Sequence, residues 1–210
     1  MATKKLDYTK FTRIEISHTF DFKIIRGDSF DIKLDAAEGL MKNINVELDG
    51  DRLIVRHSPH ISWMFRLTRP KIVITMPVIK ELRLTGAVAG EVSGFKSSED
   101  FSLEMEGASF ATLNLQAGNT EFHVRGACSV TAKGEAGNLI IDVNGACHLE
   151  MKDFAVKNAA IRLNGASTCT ANISGRLDAR LGGVSTLYLI GEPTIGDIRS
   201  SGMSKISKFV

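Results

Sequence analysis

The chain has 210 residues, 43% of them hydrophobic, and a formal net charge of +2 from 26 basic and 24 acidic side chains. That is enough chain to bury a core, as one elongated domain or two small ones, and the composition argues against disorder. The two signs of charge are interspersed without a Lys/Arg block, which argues against nucleic acid as a partner, and no apolar run reaches the roughly 20 residues of a membrane-spanning helix.

From the N-terminus, Met1 to Lys10 is polar, with Lys4 and Lys5 but no apolar stretch behind them, so no secretory signal is visible. Two compartments stay open: the cytoplasm, or export with a signal already removed. Alternation of apolar and polar residues then marks strands at Ile14/Ile16, Phe20/Phe22/Ile24, Phe30/Ile32/Leu34, Ile44/Val46/Leu48 and Ile72/Ile74/Met76. Arg26-Gly27-Asp28 and the hairpin-like Asp49-Gly50-Asp51 separate them, and Ala36 to Lys42 is the one segment with helical character. Residues 1–80 read as a β-rich cap or as irregular first coils.

Inside that region, the segment from His57 to Arg66 joins the only Trp to His57 and His60. Trp63 and Phe65 are candidate binding residues, because exposed aromatics mark contact patches. The competing reading is that Ile61, Trp63, Phe65 and Leu67 alternate as a strand closing the core. His57 and His60 lack the third ligand that a metal site needs.

Beyond residue 80 a Gly-Ala-small triplet recurs as Gly107-Ala108-Ser109, Gly126-Ala127-Cys128, Gly145-Ala146-Cys147 and Gly165-Ala166-Ser167. Looser copies start at Gly86, Gly183 and Gly202, and successive glycines are 21, 19, 19, 20, 18 and 19 residues apart. A fixed period near 20 marks a solenoid whose units bury their apolar faces only against neighbours. Counted from each glycine, positions −4 and −2 (Phe122/Val124, Ile161/Leu163) and +4 and +6 (Val130/Ala132, Leu149/Met151) are apolar between polar residues. Each coil thus has two half-buried strands joined at the triplet. The expected fold is all-β, a parallel β-helix of about seven coils over residues 81–210, right-handed by default. Crowding at the narrow core explains the small triplet residues on this reading. A branched side chain at position 146 is then expected to overpack and cost roughly 1–3 kcal/mol.

Cys128, Cys147 and Cys169 all lie within the repeats. Their odd number and wide spacing fit neither a disulfide framework nor a zinc site. Cys128 and Cys147 share one phase, about 4.8 Å apart on adjacent coils and within disulfide range, but small reduced thiols standing where other coils have serine is the simpler reading.

The run Met76-Pro77-Val78-Ile79-Lys80-Glu81-Leu82-Arg83-Leu84-Thr85-Gly86, the repeated Gly-Ala-Ser, and the closing Gly191-Glu192-Pro193 with Ser201-Gly202 resemble the putative auto-transporter adhesin, head GIN domain family. The resemblance covers roughly residues 8–208. The family usually has Ser before each glycine, whereas this chain has Glu106, Arg125, Asn144, Asn164 and Gly182, with Ser201 alone agreeing. The resemblance implies a β-helical fold and an envelope or adhesin role. It implies no catalytic residue and no cofactor.

Outward positions supply the remaining candidates. Position −3 reads Arg83, Glu104, His123, Asp142, Arg162, Arg180, Arg199, which makes Glu104, His123 and Asp142 consecutive rungs. Paired carboxylates can act as acid and base on a sugar, but alternating signs on neighbouring strands are also ordinary cross-strand pairing. Thr112, Thr131, Thr168, Thr170 and Thr186 form a second outward set, suited to a repetitive surface or simply favoured in strands. Phosphate-binding loops and nucleophile elbows are absent. The leading expectation is a non-enzymatic β-solenoid presenting a rigid envelope or extracellular surface to a glycan or surface protein, with Glu104, His123, Asp142, Trp63 and Phe65 as binding candidates. The alternatives are a polysaccharide-degrading β-helix enzyme and a cytoplasmic scaffold.

Overall fold

A computed structural model describes residues 2–58 and 69–209. The N-terminal part holds β1 (Ala2–Leu6), β2 (Arg13–Arg26), β3 (Asp31–Ala36), the single-turn helix α1 (Glu38–Met41), β4 (Ile44–Asp49), β5 (Arg52–His57) and β6 (Lys71–Met76). Next come β7 (Glu81–Lys96), β8 (Phe101–Gly107), β9 (Phe110–Gly126), β10 (Ser129–Gly145) and β11 (His148–Gly165). The chain closes with β12 (Thr168–Ile173), β13 (Arg176–Leu181), β14 (Thr186–Ile190), β15 (Thr194–Ser200) and β16 (Lys205–Lys208).

From β7 onward every pairing is parallel, and each strand lies on the one a coil earlier. The protein is an all-β, parallel β-solenoid of about six turns. The expected seven counted beats; a turn is the chain between two beats, so the seven glycines from Gly86 to Gly202 bound six. Positions −4 and −2 point inward in the central coils: Leu103, Met105, Phe122, Val124, Ile141, Val143, Ile161 and Leu163 are all at most 2% exposed. Each large side chain of that column contributes roughly 1.5–3 kcal/mol on burial.

The N-terminal strands are laid down out of order. Strand β2 pairs in parallel with β7 from Arg13↔Glu81 to Ile25↔Ser93. On its other side it pairs in parallel with β5 and with β6. The chain therefore forms an inner rung first, turns back, and places β5 and β6 outside it before continuing at β7. Antiparallel strands finish this end, with β4 on β5, β3 on β6 and β1 on β3. An open stack exposes unpaired backbone groups that invite association, and the antiparallel strands cover that edge.

The triplet corner works differently from the crowding argument. Its alanines are exposed, so a branched residue at 146 has room, and the expected overpacking is corrected. The third residue points inward instead: Ser109, Cys128, Cys147, Ser167 and Ser185 are 3% exposed or less. The glycine answers to its backbone. Gly107 has φ +103, and a Cβ there would stand 2.5 Å from the carbonyl oxygen of Gly86. That oxygen accepts the Ala108 N–H at 2.7 Å and the Ser109 hydroxyl at 3.1 Å. The arrangement repeats up the stack, with the next bonds running from Ala127 N–H to Gly107, Ala146 N–H to Gly126 and Ala166 N–H to Gly145, all at 2.8 Å. Stacked carbonyls occupy the space a side chain would need. At the first rung the partner of Gly86 is His18, which takes φ +81 without being glycine.

Candidate ligand-binding face

The segments that precede each corner, such as 101–107, 120–126, 139–145 and 159–165, stack into one sheet, here called the front face. Register places Glu104, His123 and Asp142 on consecutive rungs there, with Arg83 before them and Arg162 after. All three have partners: Glu104 pairs with Arg83 at 2.7 Å, Asp142 with Arg162 at 3.1 Å, and His123 Nε2 with Glu121 at 2.9 Å. Further along, Arg176 grips Asp178 through two bonds of 2.7 and 2.8 Å, and the Asp197 N–H donates to the same carboxylate. The Arg176 guanidinium beside it, then that N–H, lower the Asp178 pKa to about 2. Such exposed pairs add little stability.

Three open grooves lie on this face. One, of about 600 Å³, runs past His123, Ile140, Asp142, Arg162 and Arg180. A second, of about 510 Å³, lies over Arg83, Glu104, Glu106, His123 and Arg125. The third, of about 590 Å³, includes Ser102, Asn119, Thr120, Glu121, Asn138 and Ile140. It shares Glu121 and Ile140 with the first, so the two are continuous. Ile140 is 48% exposed, an apolar side chain standing in the middle of a polar sheet.

An asparagine ladder edges the third groove. Asp100 Oδ1 accepts from the backbone N–H and the side-chain amide of Asn119 at 2.7 and 3.0 Å. Asn138 Nδ2 donates to Asn119 Oδ1 at 2.7 Å, and Asn158 Nδ2 to Asn138 Oδ1 at 2.9 Å. Asn158 Oδ1 in turn accepts the Arg176 N–H at 2.9 Å. Asp100, Asn119, Asn138 and Asn158 all stand seven residues before a corner glycine, a fixed phase of the repeat that carries no apolar signal. By contrast, Asn144 and Asn164, each directly before a corner glycine, are joined by a longer contact of 3.4 Å.

The threonine set does not make a flat exposed face. Thr170 is 2% exposed between Glu150 and Tyr188 on its neighbouring rungs, and Thr112, Thr131, Thr168 and Thr186 are half-buried. Trp63, Phe65 and His60 lie outside the described residues. His57 is 6% exposed, stacks on Phe20 at 4.6 Å and meets His18 edge-on at 5.9 Å. Its Nε2–H donates to the Thr19 carbonyl at 3.0 Å, while the buried Nδ1 has no partner among the described residues. Burial lowers its pKa, against the opposing effect of the Thr19 bond, and the neighbouring His18 adds a smaller lowering.

The cysteines are buried free thiols. Cys147 Sγ approaches the Gly126 carbonyl at 3.4 Å, where Ser167 Oγ meets the Gly145 carbonyl at 2.9 Å, so thiol and hydroxyl fill the same role on successive coils. Contact with the Cys147 sulfur, then burial, raise the Cys128 thiol above its ordinary range, and burial does the same for Cys169. Among the described residues no three His, Cys, Asp or Glu side chains converge as metal ligands, and no helix is long and apolar enough to cross a membrane.

Fold and face together define a β-solenoid that displays a grooved, charge-paired sheet. The family described as "Putative auto-transporter adhesin, head GIN domain" matches residues 10–193, and the chain belongs to it. Among solved structures, the chain is similar to a putative adhesin from Bacteroides fragilis, with a TM-score of 0.87 at 16% identity over 99% of this chain and 96% of that one. A "putative lipid binding protein" from Parabacteroides distasonis superposes with a TM-score of 0.73 at 18% identity, covering 100% of this chain and 96% of that one. A putative adhesin from Parabacteroides merdae gives 0.69 at 13% identity, with the same coverage. At these identities the likeness shows a shared fold. No curated protein matches the chain.

Proposed function

We propose that this chain is a non-enzymatic, adhesin-like module of the cell envelope or extracellular surface, and that the front face is the surface it presents to a glycan or protein. The observation that carries this reading is the joining of two grooves around the exposed Ile140, on a sheet whose side chains are held by cross-rung pairs. A rigid surface binds without first ordering its own side chains, which removes one of the usual costs of association. Membership of an adhesin family supports the same reading.

The enzymatic alternative needs a carboxylate pair poised across a glycosidic bond. Glu104 and Asp142 are engaged across strands by Arg83 and Arg162, which is the pattern of cross-strand pairing, and His123 by Glu121 two residues earlier on its own strand. A glycan array run beside a polysaccharide-degradation screen separates the two. We expect retention without turnover; turnover abolished by His123→Ala would overturn the reading.

A further inference from the structure

We propose that the C-terminal end of the solenoid is a homodimer interface, in which β15 of one chain pairs antiparallel with β15 of a second copy. The two ends of the stack are finished differently. Antiparallel strands cover the N-terminal edge. At the other end, among the described residues, β15 pairs only with β13 and β16 only with β14. Their outer backbone groups stand open as a template for a further strand.

The core emerges at this end too. Ile195 continues the inward column of Ala159 and Leu177. Those two are 5% and 0% exposed, whereas Ile195 is 56% exposed. Ile198 and Ile206 extend the inward columns of Ala179 and Leu187 and are only half-buried. Corner positions that hold alanine in the middle coils hold Val184 and Met203 in the last two, both exposed. Apolar side chains gathered at one end, over an unpaired sheet edge, mark a contact surface.

Charge selects the occupant. Arg162, Arg180 and Arg199 stand on consecutive rungs of the front face. Arg162 has Asp142 at 3.1 Å, but Arg180 and Arg199 share the single carboxylate of Asp197, at 3.4 and 3.2 Å. Beyond the irregularity beside Asp178, β15 runs regularly as Asp197-Ile198-Arg199-Ser200. Turned about a two-fold axis at Ile198, that stretch complements itself. The two Ile198 side chains meet, and each Asp197 stands opposite the other chain's Arg199. Each arginine then has a carboxylate of its own, and opposite charges facing across antiparallel strands favour the pairing.

Other arrangements of two copies set like charges together. Strand β16 carries Lys205 and Lys208, edge lysines that discourage its pairing with itself. Head-to-tail stacking would bring them toward β1, where Lys4 and Lys5 are exposed. The β15 contact closes at two copies. Its axis stands normal to the front sheet, so the two front faces join and look the same way, presenting two surfaces at once. That last consequence rests on the front face being the binding surface; the dimer does not.

Sedimentation velocity of the full chain without ligand, over a hundredfold range of concentration, tests the interface. We expect a monomer–dimer equilibrium that Asp197→Arg weakens at least tenfold while thermal unfolding stays cooperative. Combining Asp197→Arg with Arg199→Asp should restore the dimer to within threefold, yet the exchanged chain should not pair with the parent. Ile198→Cys should cross-link to a second copy under oxidised glutathione, and Lys208→Cys should not. A monomer at every concentration, open-ended growth of larger species, or a dimer that Asp197→Arg leaves intact overturns the interface. So does a dimer that Ile198→Cys fails to cross-link. A dimer whose front face retains no glycan or protein leaves the interface standing and counts against the binding-surface reading alone.

Discussion

Gly107→Ala is the most direct perturbation of the corner. The new methyl group faces two costs. At φ +103 an L-residue is strained, which costs roughly 1–2 kcal/mol. Its Cβ would also lie 2.5 Å from the Gly86 carbonyl oxygen, so the corner must open and weaken the bonds from Ala108 and Ser109. Losing one such bond costs about 0.5–1.5 kcal/mol, and both are threatened. The sum is about 2–5 kcal/mol, or a Tm lower by about 4–20 °C for a chain of this size. Gly50→Ala is the control: its φ is +60 but nothing lies within 4 Å of a Cβ, so only the conformational cost remains, about 1 kcal/mol. Paired thermal and urea melts measure the difference. If Gly107→Ala loses no more stability than Gly50→Ala, the stacked-carbonyl account of the beat is wrong.

Other substitutions probe the rest of the fold. Ala146→Val at the exposed corner position should change stability by less than about 1 kcal/mol in the same melts, whereas Leu163→Glu, at 0% exposure, should prevent cooperative folding. Cys147→Ser should be nearly silent, because serine fills that phase in neighbouring coils; a loss above about 2 kcal/mol would refute the equivalence. For His57 the folded pKa is lowered, so the unfolded chain binds the extra proton over the window below the ordinary value near 6.5. Stability therefore falls as pH drops from about 7 toward 5, and His57→Phe, which keeps the stacking on Phe20, should flatten that slope in urea melts.

How far the sequence carried the structure depends on which interaction set each feature. The inward columns were legible because burial at period two leaves its mark on residue type, and Leu103, Phe122, Ile141 and Ile161 are all where that pattern put them. The rungs Arg83, Glu104, His123, Asp142 and Arg162 followed from the same register. What escaped was set by backbone geometry. That the third residue of the triplet, and not the alanine, faces the core follows from the positive φ of the glycine, which composition does not reveal. The placing of β2 between the β5–β6 rung and β7 was equally hidden, since each strand reads alike in isolation. The ladder of Asp100, Asn119, Asn138 and Asn158 was present as a fixed phase, but asparagine in a β-repeat carries no apolar signal and was passed over.

The central claim is that the front face is the adhesive surface, and glycan-array retention of face-directed variants measures it most directly. Ala160→Arg places a bulky charge beside Ile140 on the front face, while Thr131→Lys makes a comparable change on the strand after the corner. The account predicts that Ala160→Arg abolishes retention, that Thr131→Lys leaves it within twofold of the parent, and that no shortened glycan appears by mass spectrometry. Retention lost with Thr131→Lys but kept with Ala160→Arg, or release of cleaved glycan, would contradict it.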